Sequence, residues 1–307
     1  MTRVAAIDIG TNSVRLLVAD VTGTGATAEL HAVDRRMQIT RLGQGVDATH
    51  RLAPDAIDRT LAVLRDYHHA FDTAGATRVR ATATSAARDA TNRDEFFTAA
   101  RDALGFEPEL LTGDEEAHLS FAGATAALTD EPGPYLVIDI GGGSTEFTVG
   151  TTQPDAAISI DVGCVRVTEQ FLHTDPPAPE ELSAAILTVR DHLGDVERAV
   201  PQLHDAKTVV GLAGTITTVA AVEQGVPYSR AHVHRFRLTR DAAEEVFRTL
   251  ALEPTAERRH NPGLEPGRVD TIVGGAIILV ATLRALDLDE LLVSEDDILD
   301  GLARSLA

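Results

Sequence analysis

Apolar and polar positions follow two alternating patterns along the chain. Apolar runs of strand length end next to a glycine at residues 4–9, 135–140 and 208–212, as is typical of buried strands. Between these runs, apolar residues recur at helical spacing, for example over residues 57–71. Strands that alternate with helices in both halves predict an α/β fold with two lobes.

Cap and turn residues set the predicted boundaries. Pro54 suits a helix start, Asn92 suits the N-cap of a helix that Gly105 stops, and residues 175–179 suit the start of a long helix. Further strands are predicted at residues 77–84, 109–112 and 156–162, and further helices at 114–128, 269–286 and 294–307. The Pro-Gly-Pro break at residues 132–134 places the domain boundary between residues 1–131 and 132–307.

The first strand and its turn are repeated later in the chain. Residues 4–18 align with residues 135–149. The aligned pairs are Asp8 with Asp139, Gly10 with Gly141, Ser13 with Ser144, and Arg15 with Glu146. Two copies of one pattern predict two similar lobes that face each other.

Each repeated turn combines backbone amides with a carboxylate. Amides freed by small residues suit phosphate oxygens, and a carboxylate suits a hard divalent cation such as Mg²⁺. A single Asp-x-Gly turn is as often an ordinary turn, but two copies favour a phosphate chain gripped from both sides. A third glycine-rich strand exit lies at residues 211–218, where close helix–strand packing is the alternative.

Composition restricts the classes of partner and location. The 307 residues include 47 Asp and Glu against 27 Lys and Arg, a net charge of -20, which disfavours nucleic-acid binding by a general basic surface. Lys207 is the only lysine, and arginine suits bidentate phosphate contacts, although a GC-rich genome gives the same bias. The single cysteine, Cys164, the absence of a signal-peptide pattern and apolar runs below ~18 residues predict a cytoplasmic protein without membrane attachment. The histidines lack zinc-ligand spacing.

Two sets of arginines leave alternatives open. Arg88 and Arg93 follow a predicted strand, and each suits either a terminal phosphate or an ordinary surface. Residues 228–240 are locally basic. They suit either a track for a long anion or an edge strand that exposes its arginines to solvent.

Four motifs together resemble a known family. They are Asp-Ile-Gly-Thr-Asn-Ser at residues 8–13, Gly-Asp-Glu-Glu-Ala at 113–117, Asp-Ile-Gly-Gly-Gly-Ser-Thr-Glu at 139–146 and Gly-Leu-Ala-Gly-Thr at 211–215. This ensemble resembles the exopolyphosphatase and guanosine pentaphosphate phosphatase family, within the sugar kinase, Hsp70 and actin superfamily. The resemblance implies two ribonuclease-H-like lobes of the actin-like ATPase type with a cleft between them.

The resemblance also implies roles for particular residues. Glu116 corresponds to the family's proposed base, and Asp139 and Glu146 to its magnesium ligands, with Asp8 as a further candidate ligand from the first turn. Glu115 is expected to cap its helix or face solvent, and without the resemblance Glu116 would also suit an ordinary first-turn acid. The glycine loops, the arginines and the resemblance give these candidate phosphate-binding residues: Asn12, Ser13, Arg88, Arg93, Gly142, Gly143, Ser144, Gly214 and Thr215.

These features predict an exopolyphosphatase that uses Mg²⁺, or Mn²⁺, to release terminal orthophosphate from inorganic polyphosphate. Guanosine pentaphosphate is the alternative substrate, because it presents the same terminal phosphoryl group. A non-catalytic polyphosphate or nucleotide sensor and a small-molecule kinase come from other classes. Glu116 disfavours the sensor, and the motifs at residues 115–117 and 142–146 disfavour the kinase. Analogy with the family predicts a homodimer.

Overall fold

The computed structural model describes residues 1–25 and 28–307. The chain divides into two compact units. The first unit contains residues 1–127 and 296–307, and the second contains residues 128–295.

The first unit is built on a mixed sheet in the order β3-β2-β1-β4-β5. Its strands are β1 (Thr2–Ile9), β2 (Ser13–Thr22), β3 (Glu29–Ile39), β4 (Arg78–Ala83) and β5 (Glu109–Leu110). The first three strands are antiparallel, and β4 and β5 add in parallel to β1. This order and direction are those of a ribonuclease-H-like sheet, as expected. Its early helices are α1 (Val46–Thr49), α2 (Pro54–Thr73), α3 (Ser85–Asp89), α4 (Arg93–Leu104) and α5 (Gly113–Thr125).

The second unit repeats this plan with additions. Its sheet runs in the order β10-β11-β9-β6-β7-β8. The strands are β6 (Tyr135–Ile140), β7 (Thr145–Gly150), β8 (Pro154–Ile160), β9 (Thr208–Leu212), β10 (Arg237–Thr239) and β11 (Glu290–Val293). The helices are α6 (Cys164–Phe171), α7 (Pro179–Ala199), α8 (Ala213–Gln224), α9 (Arg230–Val233), α10 (Arg240–Leu252), α11 (Thr255–Arg258) and α12 (Ile272–Ala285), with 3₁₀ turns at Pro201–Asp205 and Pro266–Arg268. Helix α12 is apolar on most faces and almost fully buried, so it forms the centre of this unit's core.

The internal repeat of the sequence is a repeat of structure. In both units the first two strands form a hairpin, and Asp8 lies opposite Arg15 as Asp139 lies opposite Glu146. The first loop closes with Gly10 N–H donating to the Ser13 carbonyl, and the second with Gly141 N–H donating to the Ser144 carbonyl, both at 3.0 Å. The prediction of two lobes of one type is therefore confirmed.

The last helix, α13 (Ile298–Ser305), belongs to the first unit, whereas the sequence-based division placed residues 132–307 together. Its apolar face joins a buried cluster with β1 and β2 that includes Leu17 and Leu302. Gly123 on α5 and Gly301 on α13 allow the two helix backbones to approach, because a Cβ on either would overlap backbone of the other helix. The boundary also lies at residue 127 rather than 131. Helical periodicity in α13 cannot show which unit covers its apolar face.

Other sequence-based boundaries shift by a few residues. Helix α13 begins at Ile298 instead of residue 294, because Asp297 caps its N-terminus by accepting from Leu299 N–H. Asn92 precedes α4 as predicted, but its side chain bonds the backbone of Leu52 instead of capping the helix. Gly105 ends α4 in the left-handed conformation, as predicted. In the part of the chain that the structure describes, no helix has the length and apolar character needed to cross a bilayer.

Candidate active site

The first hairpin loop, residues 10–12, turns its carbonyl groups towards the segment after β3. The Thr11 carbonyl accepts from Gly43 N–H at 2.8 Å, and the Asn12 carbonyl accepts from Thr40 and Arg41 N–H at 3.0 and 2.9 Å. The C=O and N–H of one planar trans peptide unit point in opposite directions. The Asn12 amide therefore points away from residues 40–43, as an anion-binding amide requires.

Unsatisfied polar atoms lie beside this loop. Asp8 and Asn12 are 4% and 6% exposed. Among residues 1–25 and 28–307, Asp8 Oδ1 and both side-chain polar atoms of Asn12 have no hydrogen-bond partner. Buried polar atoms are nearly always hydrogen-bonded, so these three atoms mark a place where a polar ligand or water would bind.

Arg15 already balances the charge of Asp8. Its Nε and Nη2 donate to Asp8 Oδ2 at 3.1 and 2.8 Å, and its Nη1 contacts Asp297 at the start of α13. Burial raises the pKa of Asp8, against the opposing effect of Arg15. The predicted metal role of Asp8 would therefore rest on Oδ1 alone.

Glu115 and Glu116 have separate roles at the start of α5. Glu115 forms a capping box with Thr112: its Oε2 accepts from Thr112 N–H at 2.9 Å, and Thr112 Oγ1 accepts from Glu115 N–H at 3.2 Å. The hydrogen bonds that the Thr112 N–H and hydroxyl donate to this carboxylate lower the pKa of Glu115. The expectation that Glu115 caps its helix is confirmed.

Glu116 instead pairs with Arg88. Arg88 Nη1 donates to Glu116 Oε2 and to the Leu111 carbonyl, both at 2.9 Å. Arg88 lies on α3, whose first turn is held to the hairpin loop because Thr11 Oγ1 lies 2.7 Å from Ser85 Oγ. The loop, the arginine and the predicted base thus form one connected group within the first unit.

The structure does not bring Arg93 to this group. Its nearest acidic partner is the neighbouring Asp94, at 3.6 Å, and its side chain is about half exposed. Arg93 lines a shallow surface depression with Phe97, Glu107 and other residues. Of the two arginines singled out from the sequence, only Arg88 contacts Glu116.

The second hairpin loop, residues 141–144, turns its carbonyl groups towards the start of α6. Cys164 N–H donates to the Gly141 carbonyl at 3.0 Å, and Val165 N–H donates to the Gly142 carbonyl at 2.9 Å. By the geometry of the peptide unit, the amides of Gly142 and Gly143 point away from α6. These are the amides that the sequence predicts for phosphate binding.

Gly163 makes this arrangement possible. A Cβ at residue 163 would lie less than 3.0 Å from the Gly142 carbonyl group and the Gly143 nitrogen, which are backbone atoms. A residue with a side chain would therefore push α6 and the second hairpin loop apart.

Two carboxylates face each other across β6 and β7 at the base of this loop. Asp139 and Glu146 are direct cross-strand partners and are 8% and 2% exposed. Ser159 on β8 donates to Glu146 Oε1 at 2.7 Å. At the equivalent position of the first unit Asp8 faces Arg15, so the second unit places an acid where the first places a cation.

The Asp139–Glu146 pair resembles a Mg²⁺ site more than it resembles a metal site made entirely of protein ligands. Among residues 1–25 and 28–307, no group of three or more His, Cys, Asp or Glu side chains is placed to hold a metal ion. Mg²⁺ usually keeps several waters and is bound by one or two carboxylates together with substrate phosphates. Two buried carboxylates therefore fit the expected cofactor.

Sequence reasoning missed two arginines near the glycine-rich turns. Arg268 packs against Gly214 at the start of α8, where an added Cβ would overlap its guanidinium group. Arg166 on α6 donates from Nε to the Gly143 carbonyl at 3.1 Å. No local pattern marks either residue, because each comes from a segment distant from the turn that it contacts.

The side chains of Thr215 and Cys164 lie in the core of the second unit. Thr215 is 4% exposed, and both side chains lie close to Gly275 of α12. Burial raises the pKa of the Cys164 thiol, so Cys164 is a buried, protonated side chain. A phosphate role for Gly214 and Thr215 stays a prediction.

The basic segment around β10 is neutralised by acids of the same unit. Arg235 pairs with Asp130 at 2.6 Å, and Arg237 pairs with Glu131 and Glu290 at 2.8 and 2.7 Å. Arg240 pairs in the same way with Asp287 and Asp289, both at 3.1 Å. The structure thus favours the ordinary ion-paired surface over a track for a long anion.

Known proteins similar to this chain include members of a phosphatase family. The Ppx/GppA phosphatase family model matches residues 17–306. Exopolyphosphatase 2 of Mycobacterium tuberculosis is 48% identical, over 100% of this chain and 99% of that protein. The crystal structure of an exopolyphosphatase-like protein has a TM-score of 0.92 at 37% identity, covering 98% of this chain and 97% of that one. The Aquifex aeolicus PPX-GPPA enzyme has a TM-score of 0.81 at 35% identity, covering 99% of both chains.

Proposed function

The chain belongs to the Ppx/GppA phosphatase family, and on this premise we propose that it is an exopolyphosphatase that hydrolyses the terminal phosphate of inorganic polyphosphate. The similarity to proteins named exopolyphosphatase over the full length of the chain supports this substrate. The observation that carries the proposal is the Arg88–Glu116 pair, which holds a carboxylate at the start of α5 in a fixed orientation. A non-catalytic sensor has no need of such a group.

The proposed reaction is attack of water on a terminal phosphoryl group. Such a reaction needs a group that orients the water and accepts its proton, together with donors for the phosphate oxygens. Glu116 serves as that base. Arg88 is a positioning residue for Glu116. In the described part of the chain both of its hydrogen bonds come from Nη1, so Nε and Nη2 remain as donors for a phosphate oxygen.

The hairpin loops supply further donors. The amides of Asn12, Gly142 and Gly143 point away from the segments that hold their loops, and the Asn12 side chain is a buried, unsatisfied amide. Backbone amides arranged in this way bind anionic oxygens without the reorganisation that solvent would need. We assign these groups to the substrate phosphates.

Asp139 and Glu146 would hold the Mg²⁺ ion. When bound, this ion would neutralise charge on the phosphate oxygens and so stabilise the developing charge of the transition state. Without a cation, two buried carboxylates on adjacent strands repel each other. The protein's contribution is to keep both acids on rigid strands, with Ser159 fixing one oxygen of Glu146.

A substrate panel tests the proposal. Purified protein with Mg²⁺ is incubated separately with long-chain polyphosphate, tripolyphosphate, guanosine pentaphosphate, and ATP with small hydroxyl acceptors, and released phosphate and phosphorylated acceptor are measured. We expect release of orthophosphate from long-chain polyphosphate with the highest kcat/KM of the panel. A higher kcat/KM for guanosine pentaphosphate would make that compound the substrate in place of polyphosphate. Phosphotransfer to an acceptor, or binding of polyphosphate without hydrolysis, would refute the proposal. The homodimer and the cytoplasmic location stay predictions.

A further inference from the structure

A pocket in the second unit lies between α12 and the helices α7 and α10. Its volume is about 310 Å³. It is lined by one face of α12 together with two residues of α7 and one of α10: Ile186, Arg190, Phe247, Ile277, Val280, Ala281, Arg284 and Ala285. None of these residues has a part in the proposed phosphatase reaction.

The sequence of α12 creates the pocket. Ile277, Ala281 and Ala285 are spaced four residues apart and therefore lie on one face of the helix. Ile277 and Ala281 are almost fully buried and form the floor, while Phe247 forms part of the wall. The two alanines leave the volume that larger side chains would fill.

Two arginines, both exposed, are among the lining residues of this otherwise apolar pocket. Arg284 donates from Nε to Glu244 at 2.7 Å, and this pairing lowers the pKa of Glu244. The Arg190 side chain has no ion-pair or hydrogen-bond partner among residues 1–25 and 28–307. Since Glu244 neutralises only one of the two arginines, the pocket retains positive charge in a protein whose net charge is -20.

We propose that this pocket binds a small amphiphilic anion, with an apolar chain against α12 and a carboxylate between Arg190 and Arg284. Ligand sites typically combine an apolar lining with a few polar groups, and 310 Å³ lies at the lower end of their range. At about 30 Å³ for each water-sized group, the volume holds about ten non-hydrogen atoms. A saturated eight-carbon carboxylate has this size, and guanidinium groups bind carboxylates through paired hydrogen bonds.

Calorimetric titration of the full-length protein with octanoate tests the proposal. We expect saturable binding below the concentration at which octanoate forms micelles, and about tenfold or more weaker binding to Arg190→Gln, the loss expected for one charged hydrogen bond. Ala285→Leu should abolish binding by filling the pocket. Arg248→Gln is the matched control, because Arg248 is an exposed arginine of α10 that pairs with Glu245 and does not line the pocket. Orthophosphate release and melting temperature should remain unchanged in Arg190→Gln.

Other probes distinguish the occupants. Octanol, which has the chain without the charge, and acetate, which has the charge without the chain, should each bind at least tenfold more weakly than octanoate. Equal binding of octanol and octanoate would overturn the proposed recognition of an anion. Tighter binding of octyl phosphate than octanoate would overturn the assignment of a carboxylate. A change in oligomeric mass on Ala285→Leu would show that the face binds a second copy of the chain and would also overturn the proposal.

Discussion

Gly163→Ala is expected to disrupt the second hairpin loop. The added Cβ would lie less than 3.0 Å from the carbonyl carbon and oxygen of Gly142 and from the nitrogen of Gly143. Carbon atoms in contact normally lie ~3.5–4.0 Å apart. These three nearest atoms are backbone, so relief of the overlap requires α6 to move away from the loop by about 1 Å.

The size of the effect follows from the contacts that such a movement breaks. The bonds from Cys164 and Val165 N–H to the loop are 3.0 and 2.9 Å long, and an added ~1 Å places them outside hydrogen-bond range. Each bond contributes ~1 kcal/mol net, and overpacking costs ~1–3 kcal/mol. We therefore expect the free energy of unfolding to fall by about 3–5 kcal/mol, and the melting temperature by roughly 10 °C. A displacement of about 1 Å in the loop that binds phosphate should lower kcat/KM roughly 10²-fold.

Gly194→Ala provides the matched control. It makes the same substitution inside α7, where, among residues 1–25 and 28–307 and apart from the nearby backbone of the helix, the added Cβ would lie within 4 Å of Arg198 Nη1 alone, at 3.5 Å. The higher helix propensity of alanine should raise stability by up to ~1 kcal/mol and leave turnover unchanged. Thermal unfolding and orthophosphate release are measured for both variants. Wild-type values of both quantities in Gly163→Ala would refute the reasoning, because the loop and α6 would then tolerate a side chain between them.

Three further predictions concern other parts of the molecule. The double variant Arg235→Gln, Arg237→Gln should change kcat/KM by less than about twofold on both long polyphosphate and tripolyphosphate, since surface ion pairs contribute only ~0–1 kcal/mol. A rise in KM for the long substrate alone would instead show that residues 228–240 bind the long anion. Burial raises the pKa of Asp300 to about 6 from 3.8, so the folded state binds this proton more tightly, and its contribution to stability, complete below the unfolded pKa, is lost as pH rises through 6. The melting temperature of wild type minus that of Asp300→Asn should therefore fall between about pH 4 and pH 6, and a constant difference would contradict this assignment. Excess chelator should abolish phosphate release, and Asp139→Asn and Glu146→Gln should raise the Mg²⁺ concentration for half-activity; full activity in chelator would exclude the metal.

Local patterns predicted the parts of the site that local interactions build. Each hairpin pairs two strands that are adjacent in the sequence, so the loops at residues 10–12 and 141–144 could be located from the sequence. The role of Glu115 was also predictable, because its partner Thr112 is only three residues away.

Contacts between distant segments could not be predicted in the same way. Arg268 lies 54 residues after Gly214 in the sequence, and nothing near either residue indicates that they meet. Arg237 has the same place in the alternation of apolar and polar residues whether its side chain faces solvent or pairs with Glu131. The alternation therefore could not distinguish these two arrangements. The position of α13 likewise depends on which apolar surface of the sheets is still exposed when the helix packs. That surface exists only once the rest of the unit has folded.

The rate of orthophosphate release from long polyphosphate by wild type, Glu116→Gln and Glu115→Gln tests the central claim most directly. With saturating Mg²⁺ and substrate, Glu116→Gln should retain polyphosphate binding but lower kcat by roughly 10²- to 10⁴-fold, the usual contribution of a general base. Glu115→Gln should remain close to wild type, because glutamine also suits this position of a capping box. A Glu116→Gln rate within about tenfold of wild type, below the general-base range, or a loss of turnover in Glu115→Gln alone, would contradict the account.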